Sequence, residues 1–501
     1  MTTLAAFAPR RALVDRLNPI LVKEVRQALR GRYFKLMFWL TLGVATFAGL
    51  MVVASGASSD EIDALGQPFF LVMFGCMSAA VHAFTPFSAY LSTSAEWDEN
   101  THDLLVLSNL RPHQIVLGKL LSALTQALLY YSTFGPFLVF AFLLNGIDLL
   151  SISVLLVCSL VACTGLSLTG IALASLAPVK AARGILMAVF GAALVMVWGG
   201  SMGAAAEITS SPQNLRDPEG QMGVAFFLTF ALVVGGLFGA IALARFAHEE
   251  ENRSTGLRLL STGMLLLAGA WGAWLHAQFG DEEAAWGMQV GAGCVLLPAW
   301  LFFLTEPRAL GRRATKHVSA RRWLALLSIP FLPGDGRGVF LFLVHFVCAL
   351  LGGVLALRFG ATSGGFLEVV GMVSVFYAYT FVFLALPAAV ASAFGVSARA
   401  RLITRITIVV LVPLVTLGPA LAGLLFGSRD WMELRHPLNP VWIMQKLMRP
   451  DKPFGVVIGL SGLALGVLLT FGLNAKRMTS GVIEVLAASR ARREREQLAR
   501  S

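Results

Sequence analysis

Chemistry in a protein needs a nucleophile, a base, a set of metal ligands or a cradle for phosphate, and this chain offers few residues in any of those patterns. Gly118-Lys119 is followed by Leu120 and lacks the upstream glycine of a G-x-x-x-x-G-K-[ST] loop, which excludes ATP hydrolysis by that device. His248-Glu249 is followed by Glu250, Glu251 and Asn252, so no H-E-x-x-H zinc helix forms. No G-x-S-x-G nucleophile elbow is expected either. The five cysteines, Cys76, Cys158, Cys163, Cys294 and Cys348, have no paired ligand spacing; they read as small apolar packing residues, with neither a metal site nor a disulfide framework implied. His82 and His345 have no acidic neighbours at helical spacing and read as hydrogen-bonded packing residues. Glu368 reads as a carboxylate snorkelling to an interface.

What remains is AEWDENTHDLLVLSNLRPHQIVLGK, residues 95 to 119, a charged stretch between two long apolar runs. Glu96, Asp98, Glu99 and Asp103 place negative charge at its beginning, where a helix N-terminus favours it. Leu104, Leu105, Leu107 and Leu110 supply an apolar stripe, and Arg111 stands before Pro112, which breaks the run. The reading is a short amphipathic helix, a turn at Arg111-Pro112, and a return to the apolar chain at Lys119. A solvated loop has no use for four leucines, whereas an exposed apolar stripe marks a docking surface for protein or membrane.

The elements that must hold this segment are membrane helices. Of 501 residues, 57% are hydrophobic and 13% charged, and the mean hydropathy of +0.75 lies outside the range of soluble domains. Runs of about 20 apolar residues, each able to cross a hydrocarbon core as a helix, recur throughout, without the period-two alternation of a β-barrel. The fold class expected is an all-α polytopic membrane protein with about twelve spans: 33–54, 68–92, 120–145, 150–177, 184–206, 222–245, 259–277, 287–305, 338–358, 367–392, 406–427 and 455–475. The Gly- and Ala-rich fifth, eighth and twelfth would equally suit buried or re-entrant helices. With the N-terminus inside, 32 of the 39 Lys and Arg fall in cytoplasmic segments, and only Arg216, Arg358, Arg429, Arg435, Lys446, Arg449 and Lys452 lie outside. That positive-inside bias puts both termini in the cytoplasm. The net charge of +11 is spread over many inner loops, as topology and anionic headgroups require, and no nucleic-acid-binding module accompanies it.

Four regions follow: residues 1–32, a cytoplasmic N-terminus with an amphipathic interfacial helix; 33–246, a six-span unit; 247–475, a second six-span unit; and 476–501, a basic tail read as a cytoplasmic helix on the membrane surface or on a partner. No removable signal peptide is expected in the first region. Its helix starts at Asn18 and Pro19, with Leu21, Val25, Ala28 and Leu29 on one face and Lys23, Arg26, Gln27 and Arg30 on the other, Glu24 between them. The second unit reads as a degenerate repeat of the first at an offset near 217 residues, which sets the 95–119 segment opposite the basic loop 306–323. The outer loop 428–454, with Trp431 and Trp442, suits a short interfacial helix. The span interiors hold almost no acidic residue to bind a coupling ion, so energy for any uphill transport is expected to enter from the cytoplasmic side.

Residues 96 to 121, EWDENTHDLLVLSNLRPHQIVLGKLL, resemble the cytoplasmic loop of type-2 ATP-binding-cassette (ABC) transporter permeases. There an acidic start, a G-T-L-x-L-L-like core, a P-L-like turn and I-L-x-G-K-L-L recur. Thr101, Asp103, Leu104, Leu105, Leu110, Ile115, Gly118, Lys119, Leu120 and Leu121 match, while Asn100, His102 and Asn109 stand where glycine, leucine and proline are usual. LNPILVKEVRQALRGRYF, residues 17 to 34, is similar to the amphipathic helix that precedes the first span in that family. The likeness covers residues 17 to about 245, and the second half departs from the pattern. The resemblance implies a permease subunit, not an enzyme, whose loop docks on a separate cytoplasmic ATPase through Glu96, Glu99, Thr101, Asp103, Leu104, Leu105 and Arg111. Two ATPase copies would bind the ATP and magnesium, and this chain no cofactor. With short outer loops offering no site for a binding protein, it implies an exporter in the inner (plasma) membrane of a bacterium. Whether a second permease chain, as in a homodimer, completes the path stays open, as does the substrate. The competing reading is an ion-coupled carrier or membrane scaffold with no ATPase partner.

Overall fold

The computed structural model describes residues 19–56, 66–99, 101, 110–144, 147–176, 180–247, 252–280, 282–307, 309–316, 318–358, 365–393, 405, 443–444 and 454–498. Among these, the regular structure is entirely helical. In chain order the helices are α1 (Pro19–Arg30), α2 (Arg32–Gly56), α3 (Gly66–Ala79), a π-helical turn (Ala80–Phe84), α4 (Thr85–Asp98), α5 (Pro112–Leu143), α6 (Leu149–Leu176), α7 (Lys180–Ser210) and α8 (Pro218–Phe246). There follow α9 (Thr255–Phe279), α10 (Glu282–Leu304), the short α11 (Arg312–Thr315) and α12 (Arg322–Ser328), then α13 (Asp335–Ala356), α14 (Phe366–Ala393) and α15 (Phe454–Leu498).

Eleven of the described helices are long and apolar enough to cross a membrane, with α3, the π turn and α4 counting as one 33-residue rod. Each coincides with one expected span, and the fifth, eighth and twelfth are full-length helices. The expected eleventh span, 406–427, and nearly all of the outer loop 428–454 lie outside the described residues. Local chemistry sets the helix ends. Pro19, Pro112 and Pro218 occupy first positions, where a missing N–H costs nothing. Gly280, at φ 66°, closes α9 in the left-handed region, its N–H donating to His276 O at 2.9 Å.

The chain divides into two compact units, Met1–His248 and Glu249–Ser501. In the first, the α3–α4 rod packs on α2, α5, α6 and α7, and α6 packs on α8. Its core is aromatic and Met-rich, with Phe70, Phe74, Met77, Tyr130 and Phe134 all buried. Between helices in lipid the gain is close packing rather than escape from water, which rewards small residues at crossings. At the α6–α8 crossing a Cβ on Gly235 would lie 2.8 Å from Gly165 Cα, so the approach depends on glycine. Outward, α2 exposes Leu36, Trp39, Phe47 and Leu50, and α7 exposes Ile185, Val189, Val195 and Met196.

In the second unit α10 packs on α9, α13 and α14, and α15 packs on α13 and α14. Fully buried Trp300 meets Phe342 and Tyr377 edge-on at centroid distances of 4.9 and 5.3 Å. Here the expectation for the tail is corrected. Residues 476–498 do not form a separate surface helix but continue α15, 45 residues in one piece and about 67 Å long, twice what a bilayer core requires. The extension is already occupied: Val485, with Val482 and Ala488 beside it, packs on Leu310, Ala314, Val318, Ala325, Ile329 and Leu332.

Candidate functional site

The end of α4 is the junction of the first unit. Consecutive helical residues point about 100° apart, and here three in a row engage three different neighbours. Glu96 turns toward α1 and α5, where its Oε2 lies 2.9 Å and its Oε1 3.3 Å from the amines of Lys119 and Lys23 respectively. Trp97 receives the Arg245 guanidinium of α8 over its ring at 5.2 Å, while Arg245 Nε–H also donates to Ser175 O at 2.9 Å. Asp98 accepts from Arg183 of α7, whose Nε lies 3.0 Å from Oδ1, and Tyr90 O–H donates to the Arg183 carbonyl at 2.6 Å.

Lys119 is the centre of this arrangement. Its side chain is 1% exposed, and it bridges Glu96 and Glu24, the latter at 3.1 Å. Ser92 O–H donates to the other Glu24 oxygen at 3.3 Å. A lone buried ammonium would be costly, but two carboxylates and their hydrogen bonds compensate it. The amphipathic α1 keeps its expected faces, with Lys23, Arg26, Gln27 and Arg30 exposed and Leu21, Val25, Ala28 and Leu29 half-buried. Buried Glu24 locks it to α5. Beside the bridge, Gln27, Tyr33, Ser88, Ser92 and Gln126 help line a cavity of about 220 Å³ between α1, α2, α4 and α5.

The expected helix-starting role of the acidic residues is corrected: Glu96 and Asp98 stand in the last turn of α4, which runs six residues past the expected end of the second span. A helix C-terminus disfavours negative charge, and Lys23, Lys119 and Arg183 offset that. Of the other residues singled out, Glu99 is exposed at the C-cap, its N–H donating to Ala95 O at 2.9 Å. Thr101 N–H donates to Glu96 O at 3.0 Å. Exposed Arg111 precedes α5, its N–H donating to Gln114 Oε1 at 2.9 Å, and Pro112 opens that helix rather than only ending a run. Pro19 is the exposed first residue of α1. Asn18, Asp103, Leu104 and Leu105 lie outside the described residues. Lys119, Arg183 and Arg245 received no clamping role from the sequence; for Lys119, a charge inside the long apolar α5, its position is the signal that points to a buried partner, whereas Arg183 and Arg245 stand near helix ends, where a charge is ordinary.

The second unit has its own charged knot. Arg258 Nη2 contacts Glu306 Oε2 at 2.6 Å, and Gly334 N–H donates to the same oxygen at 2.7 Å. Arg477 donates to Asp335, Asn474 and the Leu304 carbonyl. Arg337 pairs with Glu484 at 2.9 Å. These bonds tie α9, α10, α13 and α15 at one end. Burial of both α-carbon neighbours of Arg337 is just as tight: a Cβ on Gly336 would fall 2.1 Å from Arg477 O, and one on Gly338 2.4 Å from Phe303 O.

The two span histidines singled out from the sequence, His82 and His345, are hydrogen-bonded, as expected. Trp300 Nε1–H donates to His345 Nδ1 at 2.8 Å, which makes that nitrogen the acceptor and leaves the proton on Nε2, facing Thr262 Oγ1 at 2.9 Å. Thr262 O–H in turn donates to Arg258 O at 2.9 Å. His82 meets Ser201 Oγ at 3.3 Å and Ser159 Oγ at 2.9 Å. Residues Gly199 to Gly203, GGSMG, do carry the G-x-S-x-G spelling that was not expected, but they sit inside the continuous α7, and Ser201 O–H donates to Trp198 O one turn back. A nucleophile elbow needs a strand-to-helix turn, so the spelling is not one. Glu368 accepts from Trp286 Nε1 at 3.2 Å. Among the described residues no group of three or more His, Cys, Asp or Glu could hold a metal ion. Comparison with protein-family models, with curated proteins and with solved structures finds no match for this chain.

Proposed function

We propose that this membrane protein is the permease subunit of an ABC transporter, working as an exporter and driven by a separate cytoplasmic ATPase through the segment between α4 and α5. The observation that carries the reading is the clamped end of α4. A push on residues 99–111 reaches α4 and α5 directly, and through Glu96, Trp97 and Asp98 it reaches α1, α8 and α7 as well. A lever needs such a rigid fulcrum if ATP-driven closure of a partner is to tilt several helices together. Glu96 then acts as a positioning residue, while Glu99, Asp103, Leu104, Leu105 and Arg111 meet the ATPase.

Several neighbour relations recur in the two units and support the reading of two related six-span halves: in each, the second-span helix packs on the first, third and fourth, and the fourth on the last, although the close packing of α9 on α13 in the second unit has no counterpart between α2 and α5 in the first. The experiment is co-purification of the full chain from its native membrane. A cytoplasmic ATPase should accompany it, and Asp103→Arg or Leu104→Glu should release that subunit while the spans stay folded. Retention of the ATPase by both variants removes the docking role. Uphill transport by the isolated chain on an ion gradient would instead establish an ion-coupled carrier.

A further inference from the structure

The short α12 and the turn after it, Ile329–Phe331, are amphipathic in a way that the second unit does not use up. Ala325 and Ile329 are buried against the α15 extension. On the opposite face Trp323, Leu326 and Leu327, at i, i+3 and i+4, are 57%, 41% and 64% exposed. Exposed Arg321 and Arg322 stand at the start of this apolar face. Among the described residues the other large exposed apolar side chains lie on helices long enough to cross a bilayer, and all but Ile483 and Leu498, on the α15 extension, fall on faces that can meet lipid chains. This helix has seven residues and crosses nothing.

Its depth is set by what it is tied to. Three residues, Leu332 to Gly334, join it to the start of membrane helix α13. Arg258, in the first turns of membrane helix α9, donates to the Pro330 carbonyl at 2.8 Å and to the Gly334 carbonyl at 3.1 Å. The apolar face is therefore held at the level where two spans end. We infer that α12 lies in the boundary between headgroups and acyl chains, inserting Trp323, Leu326 and Leu327 into the leaflet while Arg321 and Arg322 bind the phosphates of anionic lipids. An aromatic ring with one polar edge, two leucines and adjacent arginines match that boundary in both polarity and charge. The inference rests on the membrane architecture and is independent of the proposed ATPase coupling.

The test places a genetically encoded, environment-sensitive fluorescent residue at position 327, and in a second protein at exposed position 493, in the full chain reconstituted in phosphatidylcholine vesicles containing phosphatidylglycerol. Quenchers attached near the glycerol or near the chain end report depth, and aqueous iodide reports solvent. The probe at 327 should be quenched more by the shallow lipid quencher than by the deep one, and be shielded from iodide, unlike the probe at 493. Iodide quenching at 327 equal to that at 493 would show a solvated face, and protection from both lipid and iodide would show a protein segment covering it; either overturns insertion. In mixed vesicles carrying brominated phosphatidylglycerol, the local preference for that lipid around position 327 should fall about fivefold with Arg321→Gln and again with Arg322→Gln. An unchanged preference in the double variant overturns the phosphate contacts.

Discussion

Replacing Lys119 by Met tests whether the clamp of the first unit is electrostatic. At an effective dielectric of about 20, a unit pair at 3 Å interacts by about 5 kcal/mol, and Lys119 makes two such contacts, at 3.1 and 2.9 Å. Burial of three charges costs several kcal/mol each, so the bridge as a whole is close to balanced, but removing its buried shared cation leaves Glu24 and Glu96 with only the half-exposed Lys23 to offset their charge. Lys23 is a weaker substitute: its side chain is 52% exposed, hence screened by solvent, and it lies farther away, at 3.3 Å from Glu96 and 3.8 Å from Glu24. The expected loss is about 3–5 kcal/mol. Adding Glu24→Gln and Glu96→Gln removes the stranded charges, and the triple variant should recover most of that loss. The assay is reversible unfolding in mixed micelles followed by circular dichroism. A single variant as stable as the parent, or a triple variant no better than the single one, refutes the assignment of the clamp to charge compensation.

Three further outcomes are expected. Gly336→Ala should destabilise the second unit by about 1–3 kcal/mol, because the new methyl meets the Arg477 carbonyl at 2.1 Å, whereas Gly462→Ala on the open face of α15 should be neutral or stabilising; thermal unfolding of the two variants checks this. Trp300→Phe removes the donor to His345 Nδ1 and should cost about 1–2 kcal/mol, with Thr262→Val giving a non-additive further loss in a double-mutant cycle measured in the same micelles. Truncation after Ser480 removes Val482, Val485 and Ala488 from their cluster, and limited proteolysis should then cut within residues 309–332, which the full chain protects.

Much of the fold was legible because membrane helices announce themselves locally. A run of apolar residues long enough to cross the bilayer has one satisfactory backbone structure in lipid, since every N–H and C=O must be bonded within the segment. Hence the positions of the spans and the faces of α1 could be read from Leu21, Val25 and Ala28 against Lys23, Arg26 and Arg30. The ends of the helices were less legible. Glu96 and Asp98 look like the start of a helix, and only the long-range cations Lys119, Lys23 and Arg183, between 23 and 85 residues away from their partners in the chain, make their place at a helix end tolerable. The tail misled for a related reason: its arginines suggested a surface helix, while the three small or branched apolar residues that bind it to 309–332 are too sparse to stand out.

The sequence by itself determined that this chain is a bundle of helices made for lipid, and which of its few polar stretches stands between them, because hydrophobic length and periodicity are properties of neighbouring residues. The tertiary structure alone decided which charges meet: that Glu24, Glu96 and Lys119 share one buried bridge, that three consecutive residues of α4 grip three sides of the first unit, and that Arg258, Arg337 and Arg477 tie the second. A buried charge is tolerable only beside its opposite, and the partner is chosen by packing in space rather than by distance along the chain.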